Sequence, residues 1–140
     1  MGLYQVTQRN GARCSTAVGY LDPVKSRPNL TVRTGAQVAR IVFEKGRAVG
    51  VECRIDGRTE RLTAAREVIL SAGAINSPQL LMLSGIGPAE ELRRHAIAVV
   101  HDAPQVGANL QDHLDVTTLQ HCTRPITYDR ISQVKAGFDY

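Results

Sequence analysis

A chain of 140 residues, 43% of them hydrophobic, is long enough for one globular domain and apolar enough to build a core. The net charge of +4 and pI near 9.3 reflect a basic lean at Arg9, Arg13, Lys25, Arg27 and Arg33, but acidic residues are interspersed and Trp is absent. With sparse aromatics and no RNA-binding or finger motif, this composition argues against a nucleic-acid partner and describes a solvated surface.

Cys14, Cys53 and Cys122 stand far apart with no Cys-x-x-Cys pair, so neither a zinc knuckle nor a thioredoxin site is expected. An odd cysteine count without a charged-then-apolar leader favours reduced thiols and a cytoplasmic setting. No apolar run approaches the roughly 20 residues of a membrane helix, which leaves peripheral membrane association open.

Residues 1–11 read as polar and irregular. Ser15 is placed to cap a helix through about Lys25, with Tyr20 and Leu21 on its inner face, and Pro28 stops it. Asn29 to Thr34 reads as a strand. A β-meander follows. Val38 to Phe43 is rich in β-branched residues, and Lys45-Gly46 makes a turn. Val49, Val51, Cys53 and Ile55 then share one face of the next strand by the period-2 rule. Asp56-Gly57 is a strong hairpin signal, because both central positions of a type I′ turn need positive φ. Arg58 to Thr63 returns as a polar edge strand.

Val68 to Leu70 is continuously apolar, as in a parallel strand covered on both faces. Ser77 and Pro78 suit the start of a helix, which runs to about Ser84 and ends at Gly85 in the left-handed conformation. Pro88 opens a second helix, with Glu90 and Glu91 in its first turn and Arg93, Arg94 and His95 near its end, both signs favourable to the helix dipole. Ile97 to Val100 reads as a strand, Pro104 to His113 as a loop and Leu114 to Gln120 as a strand. The tail after Ile126 is ambiguous, with a helix from Ile131 as one reading. Strands alternating with helices give the class α/β.

The turn Ser71-Ala72-Gly73-Ala74 is the main candidate site. Its small residues leave the backbone bare, and open α/β sheets bind ligands at the carboxyl ends of their strands, where this turn would lie. A tight strand-to-helix connection with nothing bound satisfies the same residues. Gly85-Ile86-Gly87 is not a dinucleotide fingerprint, because the third glycine is missing and position 90 is Glu90. Asp112 and His113 are adjacent in a loop, yet neighbours need not face one another; ordering of the loop by local backbone bonds is the preferred reading over acid–base chemistry. His95, His101 and His121 lack ligand spacing.

The run Gly73, Ala74, Ser77, Pro78, Leu80, Leu81, Ser84, Gly85 and Gly87 closely resembles the second signature of the glucose–methanol–choline oxidoreductases. Tyr4 to Arg13, Arg27 to Val32, Ala48 to Glu52 and Val106 to His113 are similar to that family's middle region, so the resemblance spans nearly the whole chain. It implies a partial FAD-binding, Rossmann-like domain with an antiparallel β-meander over residues 1–113, and the start of a substrate-binding domain over residues 114–140. It further implies FAD as cofactor, with Val38 at the position whose backbone pairs with the adenine. Ser71, Ala72 and Gly73 would border the adenosine part. The implied reaction is oxidation of an alcohol, choline or a relative, by hydride transfer to the flavin, with the alcohol and the electron acceptor left open. The family's N-terminal GxGxxG and C-terminal catalytic histidine have no match here, so no catalytic residue and no metal ligand is expected in this chain. The implied role is that of an internal fragment. The rival reading is a non-catalytic binding or interaction module built on a remnant of the FAD domain.

Overall fold

The computed structural model describes residues 6–118, 121, 123 and 124. The chain divides into two units, Met1–Asn109 and Leu110–Tyr140.

The first unit is built around the meander. Strands β3 (Gln37–Glu44), β4 (Arg47–Ile55) and β5 (Arg58–Thr63) pair antiparallel in the order β3-β4-β5. The turns are the expected ones: Lys45 and Gly46 have φ of 50° and 77°, and Asp56 and Gly57 have 49° and 77°. The polar strand β5 is indeed an edge. The buried hydrophobic residues of the sheet are Ile41, Cys53 and Ile55; Cys53 and Ile55 come from the shared face of β4, on which Val49 and Val51 are half-buried. Register between β3 and β4 slips twice, between Val38 and Arg40, where Ala39 is the extra residue of a β-bulge, and between Val42 and Phe43, where Val49 on β4 is left over.

Ahead of the meander, β1 (Gln8–Arg9) and β2 (Ala12–Arg13) form a small hairpin over Asn10-Gly11, where an irregular stretch was expected. The helix expected from Ser15 to Lys25 is reduced to one wide turn, Ala17–Leu21, closed by the Asp22 N–H donating to the Ala17 carbonyl at 2.8 Å. Pro23 has no N–H to continue the ladder, so the chain passes into successive turns. Tyr20 is exposed rather than inward. The strand expected over Asn29 to Thr34 has no ladder partner among the described residues; an ion pair from Arg33 to Glu60, at 3.0 Å, ties this stretch to β5 instead.

Helix α1 (Gly73–Leu83) starts four residues earlier than Ser77-Pro78 would have it. The cause is Gly73, whose φ of +88° turns the chain into the helix. Pro78 therefore lies inside the helix and forfeits one backbone bond. The end is as expected: Ser84 caps α1, and Gly85 takes φ of +87°. Strand β6 (Ile86–Gly87) pairs parallel with β7 (His101–Asp102), and α2 (Ala89–Arg94) lies between them. Leu92 and Ala89 are buried here. The Asp102 carboxylate accepts the Ala89 N–H at 3.0 Å and so caps α2. The strand expected over Ile97 to Val100 is absent. The Gly85 carbonyl accepts from both Val100 and His101, which sets the register of the ladder two residues further on.

In the second unit, residues 114–118 form no strand, and Leu114 and Val116 are exposed. Leu119 and Gln120, and the helix considered from Ile131, lie outside the described residues. No helix among the described residues is long and apolar enough to cross a membrane.

Candidate functional site

Val38, Ser71 and Ala72, far apart in sequence, line one open cleft of about 570 Å³. Its first wall is the start of β3, with Ala36, Gln37 and Val38. Its second is the segment 69–72, and its third is the face of α1 that carries Asn76, Gln79, Leu80 and Leu83. Val38 sits just before the Ala39 bulge on the outer edge of the sheet, where a bulge re-aims neighbouring side chains. Gly73 lies immediately beyond Ala72 at the rim and is not itself part of the lining. A Cβ built on Gly73 would meet no heavy atom within 4 Å, so glycine is required there by its φ and the space beside it is open.

Two serine hydroxyls hold the walls. Ser84 is 8% exposed. Its Oγ accepts the Ile41 N–H at 2.8 Å and donates to the Leu80 carbonyl at 2.6 Å. The first bond fastens the end of α1 to the outer edge of β3; the second keeps the hydroxyl in place. Near the other end of α1, the Ala72 N–H donates to Ser77 Oγ at 3.0 Å. Ser77 was expected as the helix cap. It performs a related task from inside the helix, reaching back to the amide that precedes Gly73. Further back, the Arg47 guanidinium donates to the Ala65 and Arg66 carbonyls at 3.2 and 3.0 Å and ties down the connection that leads to the turn. Asn76, Gln79 and Ser84 were not singled out from the sequence. Ser84 stood in the quoted motif only as a helix end, because its partner Ile41 is remote along the chain.

None of the lining residues carries a charge, and the Ala72 amide is already engaged. Such a cleft has little to offer a phosphate, which calls for cations or free N–H donors. It suits a flat, neutral heteroaromatic group laid against apolar side chains, backbone and the side-chain amides of Gln37, Asn76 and Gln79.

The Val68–Leu70 run does not form a strand. It has no ladder partner among the described residues, and Ile69 is 78% exposed. Gly85 and Gly87 serve packing. A Cβ on Gly85 would collide with the Ala98 carbonyl oxygen and Val100, and one on Gly87 with Met82. Asp112 accepts the backbone N–H of its neighbour His113 at 2.7 Å; its carboxylate lies 3.7 Å from His113 Nδ1, and both side chains are fully exposed. His95 caps the end of α2 and contacts Glu91 at 3.1 Å. Among the described residues no cluster of His, Cys, Asp or Glu has metal-binding geometry.

The chain as a whole is similar to known proteins. The family model described as GMC oxidoreductase matches residues 1–115. Mouse mitochondrial choline dehydrogenase is 56% identical over 126 residues, which is 90% of this chain and 21% of the mouse protein. The alcohol dehydrogenase (acceptor) of Pseudomonas putida is 51% identical over 121 residues, covering 85% of this chain and 22% of that protein. Among solved structures, an FAD-dependent oxidoreductase from Chaetomium thermophilum superposes with a TM-score of 0.63 at 34% identity, over 66% of this chain and 16% of that one. The chain thus spans about a fifth of the length of the curated relatives it matches. With the family model covering residues 1–115, this chain belongs to the GMC oxidoreductase family.

Proposed function

We propose that this chain forms the adenosine side of the FAD site in a flavoenzyme that oxidises alcohols. Residues 1–113 would be the later part of the FAD-binding domain, and residues 114–140 the entry to the substrate domain. The observation that carries the reading is the convergence of Val38, Ser71 and Ala72 on one uncharged cleft beside the positive-φ Gly73. Val38 would offer its backbone at the sheet edge to the adenine, and Ser71, Ala72 and Gly73 would let the ribose approach bare main chain. The neutral lining favours the base over the pyrophosphate, which would be held by residues outside this chain.

Bound FAD supplies a two-electron acceptor for hydride taken from the alcohol carbon. What these residues do is bind, orient and shield the nucleotide end of the cofactor. No residue here is assigned to proton transfer. The substrate we favour is choline or a related alcohol, in line with the names of the relatives. The scaffold role is supported by α1 itself. It is apolar on most sides, yet none of its residues is fully buried and Ile75 is 70% exposed. A helix of that kind belongs inside a larger body. The unpartnered segment around Ile69 points the same way. A cytoplasmic setting is part of the same proposal, supported by Cys14 and Cys53, which form no disulfide among the described residues.

The test is spectroscopic. The full-length protein should purify with a flavin absorption band that bleaches when choline or a related alcohol is added without oxygen. A colourless protein that takes up no added FAD would remove the proposal.

A further inference from the structure

The geometry points to Ser77 as a positioning residue of the cofactor cleft, an inference that rests on the FAD reading above. The turn that borders the cleft has one residue in an unusual conformation, Gly73 at φ of +88°. Glycine reaches that conformation readily, but it leaves it just as readily. Something must hold the turn in the shape that presents Ser71 and Ala72 to the cleft. Few side chains can do so. Gly73 has no side chain, Ala72 and Ala74 have only methyl groups, and the first turn of α1 carries no acidic residue.

Ser77 is the group that does reach. Its Oγ accepts the Ala72 N–H at 3.0 Å, spanning five residues and closing a loop over Gly73. In this arrangement Ala72 cannot rotate its amide into the cleft without breaking the bond. Two consequences follow. The Ala72 N–H is withdrawn from ligand binding, which keeps the cleft selective for a neutral group. The main chain of Ser71 and Ala72 is also fixed before the ligand arrives, so the ordering cost is not charged to binding.

Ser77 touches neither substrate nor the reacting atoms, so its loss should appear as weaker cofactor retention. A hydrogen bond of this kind is worth a factor of about three to ten in an equilibrium constant. Full-length apoprotein is reconstituted with FAD for wild type, Ser77→Ala and Ser77→Thr, and the unfolding midpoint of each apoprotein is measured in parallel. The expected result is an FAD Kd raised about three- to tenfold in Ser77→Ala and restored in Ser77→Thr, which keeps the hydroxyl, with apoprotein midpoints close together. An unchanged Kd in Ser77→Ala, a Ser77→Thr variant as weak as Ser77→Ala, or a fall in affinity matched by an equal loss of apoprotein stability would each overturn the assignment. Wild-type protein that binds no FAD would instead sink the reading on which it rests.

Discussion

Replacing Ser84 by alanine tests whether one buried hydroxyl joins α1 to the sheet. Ser84 is 8% exposed, and its Oγ is the acceptor for the Ile41 N–H at 2.8 Å. Ile41 is itself a core residue, 7% exposed, so water cannot replace the lost acceptor without opening the joint. The Leu80 carbonyl is less affected, because it also accepts the Ser84 backbone N–H at 3.1 Å. The cost is therefore dominated by one orphaned backbone donor, about 1–3 kcal/mol. The atoms removed are few, and the cavity adds little. Urea denaturation of the full-length protein should show a lower midpoint with unchanged m-value. Hydrogen exchange should show the Ile41 amide losing protection while amides on β5 keep theirs. A change below about 0.5 kcal/mol, typical of surface substitutions, together with an unaltered Ile41 amide, would refute the reasoning.

Other substitutions probe the frame around the cleft. Ala96 follows the C-cap of α2 with φ of 55°, where a methyl group is strained; Ala96→Gly should stabilise the protein by about 0.5–1 kcal/mol after the added freedom of the unfolded chain is subtracted, measurable as a raised melting temperature. Gly50 lies so close to the β5 backbone that a Cβ would collide with the Leu62 carbonyl oxygen and stand 3.1 Å from Thr63 Cα. Gly50→Ala should cost about 1–3 kcal/mol in chemical denaturation, because neither contact is with a flexible side chain. The Arg40 guanidinium hydrogen-bonds Glu52 at 2.8 Å and holds its carboxyl below the usual carboxylate range. A lowered folded-state pKa stabilises above the unfolded value and stops doing so as pH falls through the folded one. The stability gap between wild type and Glu52→Gln should thus be present at neutral pH and close on acidification, in parallel denaturation curves.

What could be read from the sequence was mostly local. Lys45-Gly46 and Asp56-Gly57 adopt positive φ because their own chemistry allows it, and the strands between them follow. Asn10-Gly11 has the same chemistry, with φ of 53° and 76°, but two-residue strands of mixed polarity gave no alternating pattern to frame it. Elements that depend on partners were harder. The apolar run Val68 to Leu70 announces burial, not a neighbour, and Ile69 is exposed with no strand paired to it among the described residues. Local rules put the start of α1 at Ser77-Pro78, whereas the chain enters the helix at Gly73 and uses Ser77 as an anchor for the Ala72 amide. For Ile97 to Val100 a strand was expected, but the Val100 and His101 N–H groups both donate to the Gly85 carbonyl, and the ladder forms at His101–Asp102. The candidate site was legible through its resemblance to a known signature. Spacing alone could not bring Val38 to Ser71 and Ala72, since the meander and the turn at Gly73 do that together. Nor could spacing find the Ser84–Ile41 joint, which needs the packed pair of elements.

The central claim is that the adenine end of FAD lies between the start of β3 and the segment before α1. The most direct measurement is photolabelling of the full-length protein with an FAD analogue bearing an azide on its adenine ring, followed by mapping of the modified peptides by mass spectrometry. The account predicts label on the peptides that contain Val38 and Ser71–Gly73, suppressed by excess FAD. Label confined to other segments, with the analogue demonstrably bound, would contradict it.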